Sequence, residues 1–146
     1  NNAKAIDVST QALGGIETSI SSLLGALTEQ DIPGKVIKLA KADHVIWKKR
    51  LVDMAMGRLR IDSAQLARAD SCRLGKWYYG PDAELYRNHP AFKRMEEPHK
   101  QVHDCGIRAV ELFTAHKYAE ANECIDKVET ASKMVLECLC ELENAV

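Results

Sequence analysis

"YAEANECIDKVETASKMVLECLCELENAV", residues 118–146, decides the fold. Tyr118, Ala121, Ile125, Val128, Ser132, Val135, Leu139, Leu142 and Val146 follow one another at gaps of three and four. That spacing puts small and apolar side chains on one stripe of an α-helix, and its persistence predicts a long helix packed along its whole length. A stripe of this kind needs partners of similar length, so the rest of the chain is expected to supply them.

Working back from that segment, Met95, His99, Val102, His103, Gly106, Val110 and Phe113 share a second helical face beginning near Ala91. Pro98 lacks an amide hydrogen and is expected to kink or restart this helix. A third helix is expected over about 33–60, with Val36, Ile37, Ala40, His44, Trp47, Leu51 and Met54 on its stripe. Between them, "SAQLARAD" (63–70) reads as a short helix, "SCRLGKWYYG" (71–80) as irregular turns around two glycines, and 82–88 as a turn of helix. At the N-terminus, Ile6, Ser9, Leu13, Ile16, Ile20, Leu23 and Leu27 form another seam, weakened by "LGG" at 13–15. Asp31 can cap a helix and Pro33 suits a first turn, which places a boundary at 29–34. Nothing reads as a strand. The expected fold is all-α: an antiparallel four-helix bundle over 31–146 with short extra helices, preceded by a helical linker or coiled-coil extension over 1–30.

Composition narrows the function. The 146 residues suffice for one core. A formal charge of −1, with Lys and Arg spread among Asp and Glu, leaves no basic stripe and argues against nucleic acid as a partner. With no run of 18 apolar residues and no basic-then-apolar leader, no membrane contact is expected of this segment. The five cysteines are odd in number and three lie in helix-patterned sequence, so reduced thiols and a cytoplasmic setting are expected. The chain opens Asn1-Asn2, and a longer protein with an output module upstream is the expectation.

Histidine occupies stripe positions where leucine would be expected. His44 shares its face with Ala40, Trp47 and Leu51, while His99 and His103, four residues apart, stand one above the other on theirs. Three interior imidazoles without carboxylates on the same stripes each need a partner, and one divalent cation satisfies all three. Cys72, at a turn able to aim a side chain across the bundle end, completes a tetrahedral set of three nitrogens and one sulfur. Zinc is the metal expected of such a set, one ion per chain, with no position left open for substrate. Trp47 and Trp77 are expected to wall the site and exclude water. His89 and His116 fall at helix ends and read as solvated or capping; Cys105, Cys138 and Cys140 read as packing or free thiols; Asp43 and Asp104 read as surface carboxylates.

"ADHVIWKKRL" (42–51), "CRLGKWYYG" (72–80) and "EEPHKQVHDC" (96–105), in that order, resemble the chemoreceptor zinc-binding domain family. There a His, the Cys opening C-x-[LF]-G-x-W, and a His-x-x-x-His bind one zinc in a helical bundle. The resemblance covers about 33–115 and implies His44, Cys72, His99 and His103 as ligands. It further implies a homodimer attached to a chemoreceptor signalling domain or a diguanylate cyclase, sensing zinc and, in some members, hypochlorous acid through the ligand cysteine. Cys72 is accordingly expected to be redox-reactive, with a zinc-stapled dimerisation module as the alternative.

Catalysis is not expected. A zincin needs Glu directly after the first His of H-x-x-x-H, where this chain has Lys100. A di-iron bundle needs interior carboxylates, and a Cys-His nucleophile needs an oxyanion-binding loop that no motif supplies.

Overall fold

The computed structural model describes residues 14–20, 22 and 34–145. Four α-helices follow in order after residue 34: α1 (Lys35–Ala55), α2 (Arg73–Tyr79), α3 (Pro90–Thr114) and α4 (Tyr118–Asn144). Two 3-10 turns, Ser63–Gln65 and Pro81–Tyr86, lie on either side of α2. The described residues contain no strand, so the all-α reading holds.

Three of the four helices are long, and their inward faces are the predicted stripes. Ile37, Ala40, His44, Leu51 and Met54 are buried on α1; Met95, His99, Val102, His103, Gly106 and Val110 on α3; Ala121, Val128, Ser132, Val135, Leu139 and Leu142 on α4. Met95, Val102 and Leu139 are wholly removed from solvent, and each such side chain contributes roughly 1.5–3 kcal/mol through burial. On the same stripes Tyr118 is exposed and Ile125 only half-buried.

Polar contacts give the directions. Arg94 near the start of α3 donates to Glu141 near the end of α4 at 2.7 Å, so these two run antiparallel. Lys38 and Lys41 pair with Glu143 while Lys48 donates to Glu129, so α1 also runs antiparallel to α4 and therefore parallel to α3. The α3–α4 turn closes with His116 in the left-handed region (φ 60°) and Lys117 N–H donating to Leu112 C=O at 2.9 Å. His116 Nδ1 also meets the Tyr118 hydroxyl at 2.7 Å, in keeping with its expected place at a helix end.

Several local expectations are corrected. The first long helix stops at Ala55 instead of 60: Gly57 takes φ 75° and Arg58 N–H closes back onto Asp53 C=O at 2.8 Å. Of "SAQLARAD" only the first three residues form a 3-10 helix, because Leu66 is extended, and Ala69 and Asp70 turn again just before Cys72. "RLGKWYY" is a seven-residue α-helix, where irregular backbone was expected. Pro98 neither ends nor restarts α3, which is helical throughout, and its ring is buried against the core. The missing hydrogen bond is a local cost that this burial offsets.

Residues 14–20 are helical, and Glu17 accepts a hydrogen bond from Lys49 of α1 at 3.2 Å. The seam positions Ile6, Ser9, Leu13, Leu23 and Leu27, the cap at Asp31 and the last stripe residue Val146 lie outside the described residues.

Candidate metal centre

His44 projects from the middle of α1, and His99 and His103 from adjacent turns of α3. All three are buried, with 5, 3 and 5 % of their surface exposed. Because α1 and α3 run side by side, the rings meet: centroids are 4.9 Å apart for His99 and His103, 5.4 Å for His44 and His99, and 6.2 Å for His44 and His103. One nitrogen from each lies within 4.8 Å of the others.

Which nitrogens are free follows from the hydrogen bonds. His44 Nδ1 stands 3.0 Å from Ala40 C=O and His103 Nδ1 stands 2.7 Å from Ala67 C=O. A carbonyl only accepts, so both Nδ1 atoms carry the hydrogen and both Nε2 atoms carry the lone pair. Those two Nε2 atoms are buried and have no partner, an arrangement that costs free energy unless an acceptor of lone pairs fills the gap.

Cys72 reaches the cluster from a different element. It is the N-cap of α2, in extended backbone, and its Sγ accepts from Gly75 N–H at 3.3 Å. The same Sγ lies 3.3 Å from His99 Nε2. Tetrahedral zinc with nitrogen at about 2.0 Å and sulfur at about 2.3 Å would separate two such donors by about 3.5 Å. The donor set and the orphaned nitrogens therefore fit the expected cation. Of the four sequence-predicted ligand residues, the three histidines gather in one cluster, and Cys72 meets it at His99.

Burial penalises a proton on these rings. Burial pushes the His44 imidazole down to about 4 and His99 to about 3, and it lowers His103 as well, with mutual repulsion among the imidazoles adding to the effect at His44 and His99. At neutral pH the rings are uncharged and need release no proton to bind metal. Burial pushes the Cys72 thiol up, while the amides of Gly75 and Leu74 pull it down. Without a nearby cation it is held as thiol, so the thiolate needed for ligation or attack must be drawn out by the metal.

The two tryptophans part company. Trp47 lies beside the site, its ring 5.3 Å from His103, in a space that Gly106 leaves open: a Cβ there would stand 2.6 Å from Trp47 Cζ2. Trp77 sits against Tyr86 and Phe92, with centroids at 5.3 and 5.8 Å, because five residues of helix turn it away from Cys72 toward the second 3-10 turn. Tyr78 stacks on Phe92 and donates to its carbonyl at 3.1 Å. His89 caps α3 by accepting from Ala91 N–H at 3.1 Å, in line with the capping role expected of it. Cys138 is buried, as expected of a packing thiol, whereas Cys140, two residues further round the helix, is exposed.

Asp43 and Asp104, although adjacent to histidines, do not orient them: Asp43 pairs with Arg73 at 3.3 Å and Asp104 is exposed. Backbone carbonyls of Ala40 and Ala67 do that work. The first is the ordinary i−4 neighbour; the second comes from a loop and leaves no trace in residue type. The Gly75 amide was legible in principle, since Cys-x-x-Gly places it three residues beyond a cap.

A helical domain with a buried three-histidine cluster and an adjacent cysteine is a candidate site for a tetrahedral divalent metal. Residues 44–110 match the family model described as the chemoreceptor zinc-binding domain. The family resemblance drawn from the three motifs therefore holds over the segment that carries His44, Cys72, His99 and His103, and the family is a zinc-binding one. No curated protein and no solved structure matches the chain. No helix among the described residues is long and apolar enough to cross a membrane.

Proposed function

We propose that this chain is a non-enzymatic, cytoplasmic regulatory domain of bacterial signal transduction, in which one zinc ion per chain is held by His44, His99, His103 and Cys72. The observation that carries this reading is the pair of buried, unpartnered Nε2 atoms on His44 and His103, in a cluster with His99, whose own Nε2 lies 3.3 Å from Cys72 Sγ. Bound zinc supplies the positive charge that keeps the sulfur as thiolate.

The response belongs to α2. Cys72 both joins the cluster and caps this short helix, so a change at its sulfur is felt at once in the helix start. With hypochlorous acid as oxidant, the thiolate gains an OH group and two electrons leave with chloride, giving sulfenic acid. The product is a poorer ligand and a poorer cap, so α2 shifts against α1. We read this as the signal passed through a homodimer to an attached chemoreceptor domain, in chemotaxis or a related output.

The test is zinc content and oxidant response together. The purified chain is expected to carry one zinc, lost in His44, His99 or His103 variants. Stoichiometric hypochlorous acid is expected to release zinc from the wild type and to leave Cys72→Ser unaltered in helix packing. An equal response in Cys72→Ser would overturn the switch. A Cys72 inert to oxidant while zinc stays bound would leave the zinc-stapled dimerisation module, a reading favoured by the capping role of the sulfur.

A further inference from the structure

A cavity of about 280 Å³ opens beside the histidine cluster. That is at the small end of ligand pockets, which run about 300–1,000 Å³, and suits a reagent of few atoms. Burial sorts its lining residues: His44 and His103 are buried and Cys72 half-buried, whereas the side chains of Asp43 and Arg73 are 36 and 37 % exposed. The first three form the floor. The last two stand at the rim and meet each other, Arg73 Nε donating to Asp43 Oδ2 at 3.3 Å.

Their places in sequence make the pair more than a surface contact. Asp43 directly precedes His44 on α1, and Arg73 directly follows Cys72 on α2. The ion pair thus bridges the cavity mouth between the segment that carries a nitrogen donor and the segment that carries the sulfur. We propose that this cavity is the entrance through which small reagents reach Cys72, and that the Asp43–Arg73 pair is its gate and charge filter. The inference rests on the reading of Cys72 as the responsive thiol. At this exposure the pair is held weakly enough to open and close thermally. Paired, the mouth is neutral; with Asp43 removed, the guanidinium draws anions in; with Arg73 removed, the carboxylate turns them away.

The test compares two alkylating reagents on the full chain kept metal-free with chelator. Iodoacetamide is neutral and iodoacetate anionic, and with either one the S–C bond forms as C–I breaks and iodide leaves. Labelling rates at each cysteine are read by mass spectrometry of peptides. The iodoacetate-to-iodoacetamide ratio at Cys72 is expected to rise about fivefold in Asp43→Asn and to fall by a similar factor in Arg73→Gln. Both changes are expected to vanish at molar salt, where the screening length is about 3 Å. A change in thiolate fraction, or a loosened turn, multiplies both rates and leaves the ratio alone, and exposed Cys140 serves as the control whose ratio stays constant. Arg73→Met replaces Arg73→Gln if the latter does not fold. Ratios at Cys72 that stay at the wild-type value, or move with the opposite sign, overturn the gate. Oxidation of Cys72 by hypochlorous acid in the zinc-loaded chain, measured separately, decides the reading on which it rests, so the two can fail independently.

Discussion

Gly75 and Ala69 are packed so closely that a Cβ on Gly75 would stand 1.7 Å from the Ala69 carbonyl oxygen. The obstacle is backbone, which cannot rotate aside as a side chain can. This contact lays the chain leading into Cys72 against the first turn of α2 and aims the Gly75 amide at the sulfur. Gly75→Ala is therefore expected to displace the turn and lower stability by about 1–3 kcal/mol or more. It is expected to weaken zinc binding at least about tenfold, since the sulfur moves with the turn. Thermal unfolding and a zinc titration against a competing chelator check both; an unchanged affinity would show that the turn does not position Cys72.

The orphaned nitrogens predict a trade between stability and binding. In the metal-free chain His44 keeps a buried acceptor without a donor, and removing such a group relieves about 1–3 kcal/mol of desolvation penalty. His44→Leu is expected to raise the melting temperature measured in chelator by a few degrees and to abolish the further rise that zinc gives the wild type. A variant less stable than the metal-free wild type would show that the Ala40 hydrogen bond outweighs the cost of the unpartnered nitrogen.

Most of the site was legible because it rides on long helices. Once the three-and-four spacing of α1 and α3 is recognised, the inward facing of His44, His99 and His103 follows, and convergence needs only that the helices pack in register. Cys72 was placed by its motif, because no periodicity reaches into 71–80. What escaped was tertiary in origin. Gly75 reads as a breaker in isolation, yet it allows a helix to lie on the Ala69 carbonyl. Ala67 contributes through its backbone oxygen, which any residue type would supply. Pro98 reads as a kink, and only its burial against the core shows why the helix continues through it.

The depressed histidines give the metal-free domain a defined acid sensitivity. Their native values, about 4 for His44 and about 3 for His99, lie below the ordinary 6.5 expected of the unfolded chain. Below pH 6.5 the unfolded chain takes up protons that the native site refuses, so native stability falls as pH drops toward 4. Above pH 6.5 both states are neutral at these rings and the effect disappears. The loss approaches about 1.4 kcal/mol per pH unit for each histidine. Urea unfolding in chelator at intervals from pH 7.5 to 5 checks it, a window in which few carboxylates titrate. Stability that stays level through this range would count against burial of the imidazoles.

Gly106 and Trp47 make the last case, because a single missing side chain decides where the indole lies. A Cβ on Gly106 would come within 2.6 Å of Cζ2 and 2.9 Å of Nε1, so Gly106→Ala must push the ring outward. Trp47 is only half-buried and can yield, which limits the cost to about 1–3 kcal/mol. The displaced ring leaves its place beside His103, 5.3 Å away in the native packing, and admits water to the cluster. In a Trp77→Phe background, where Trp47 alone reports, emission is expected to shift to longer wavelength. Zinc dissociation is expected to quicken as water gains access. An unshifted spectrum would show that α3 moves instead of the ring, and zinc dissociation would then change through His103 itself.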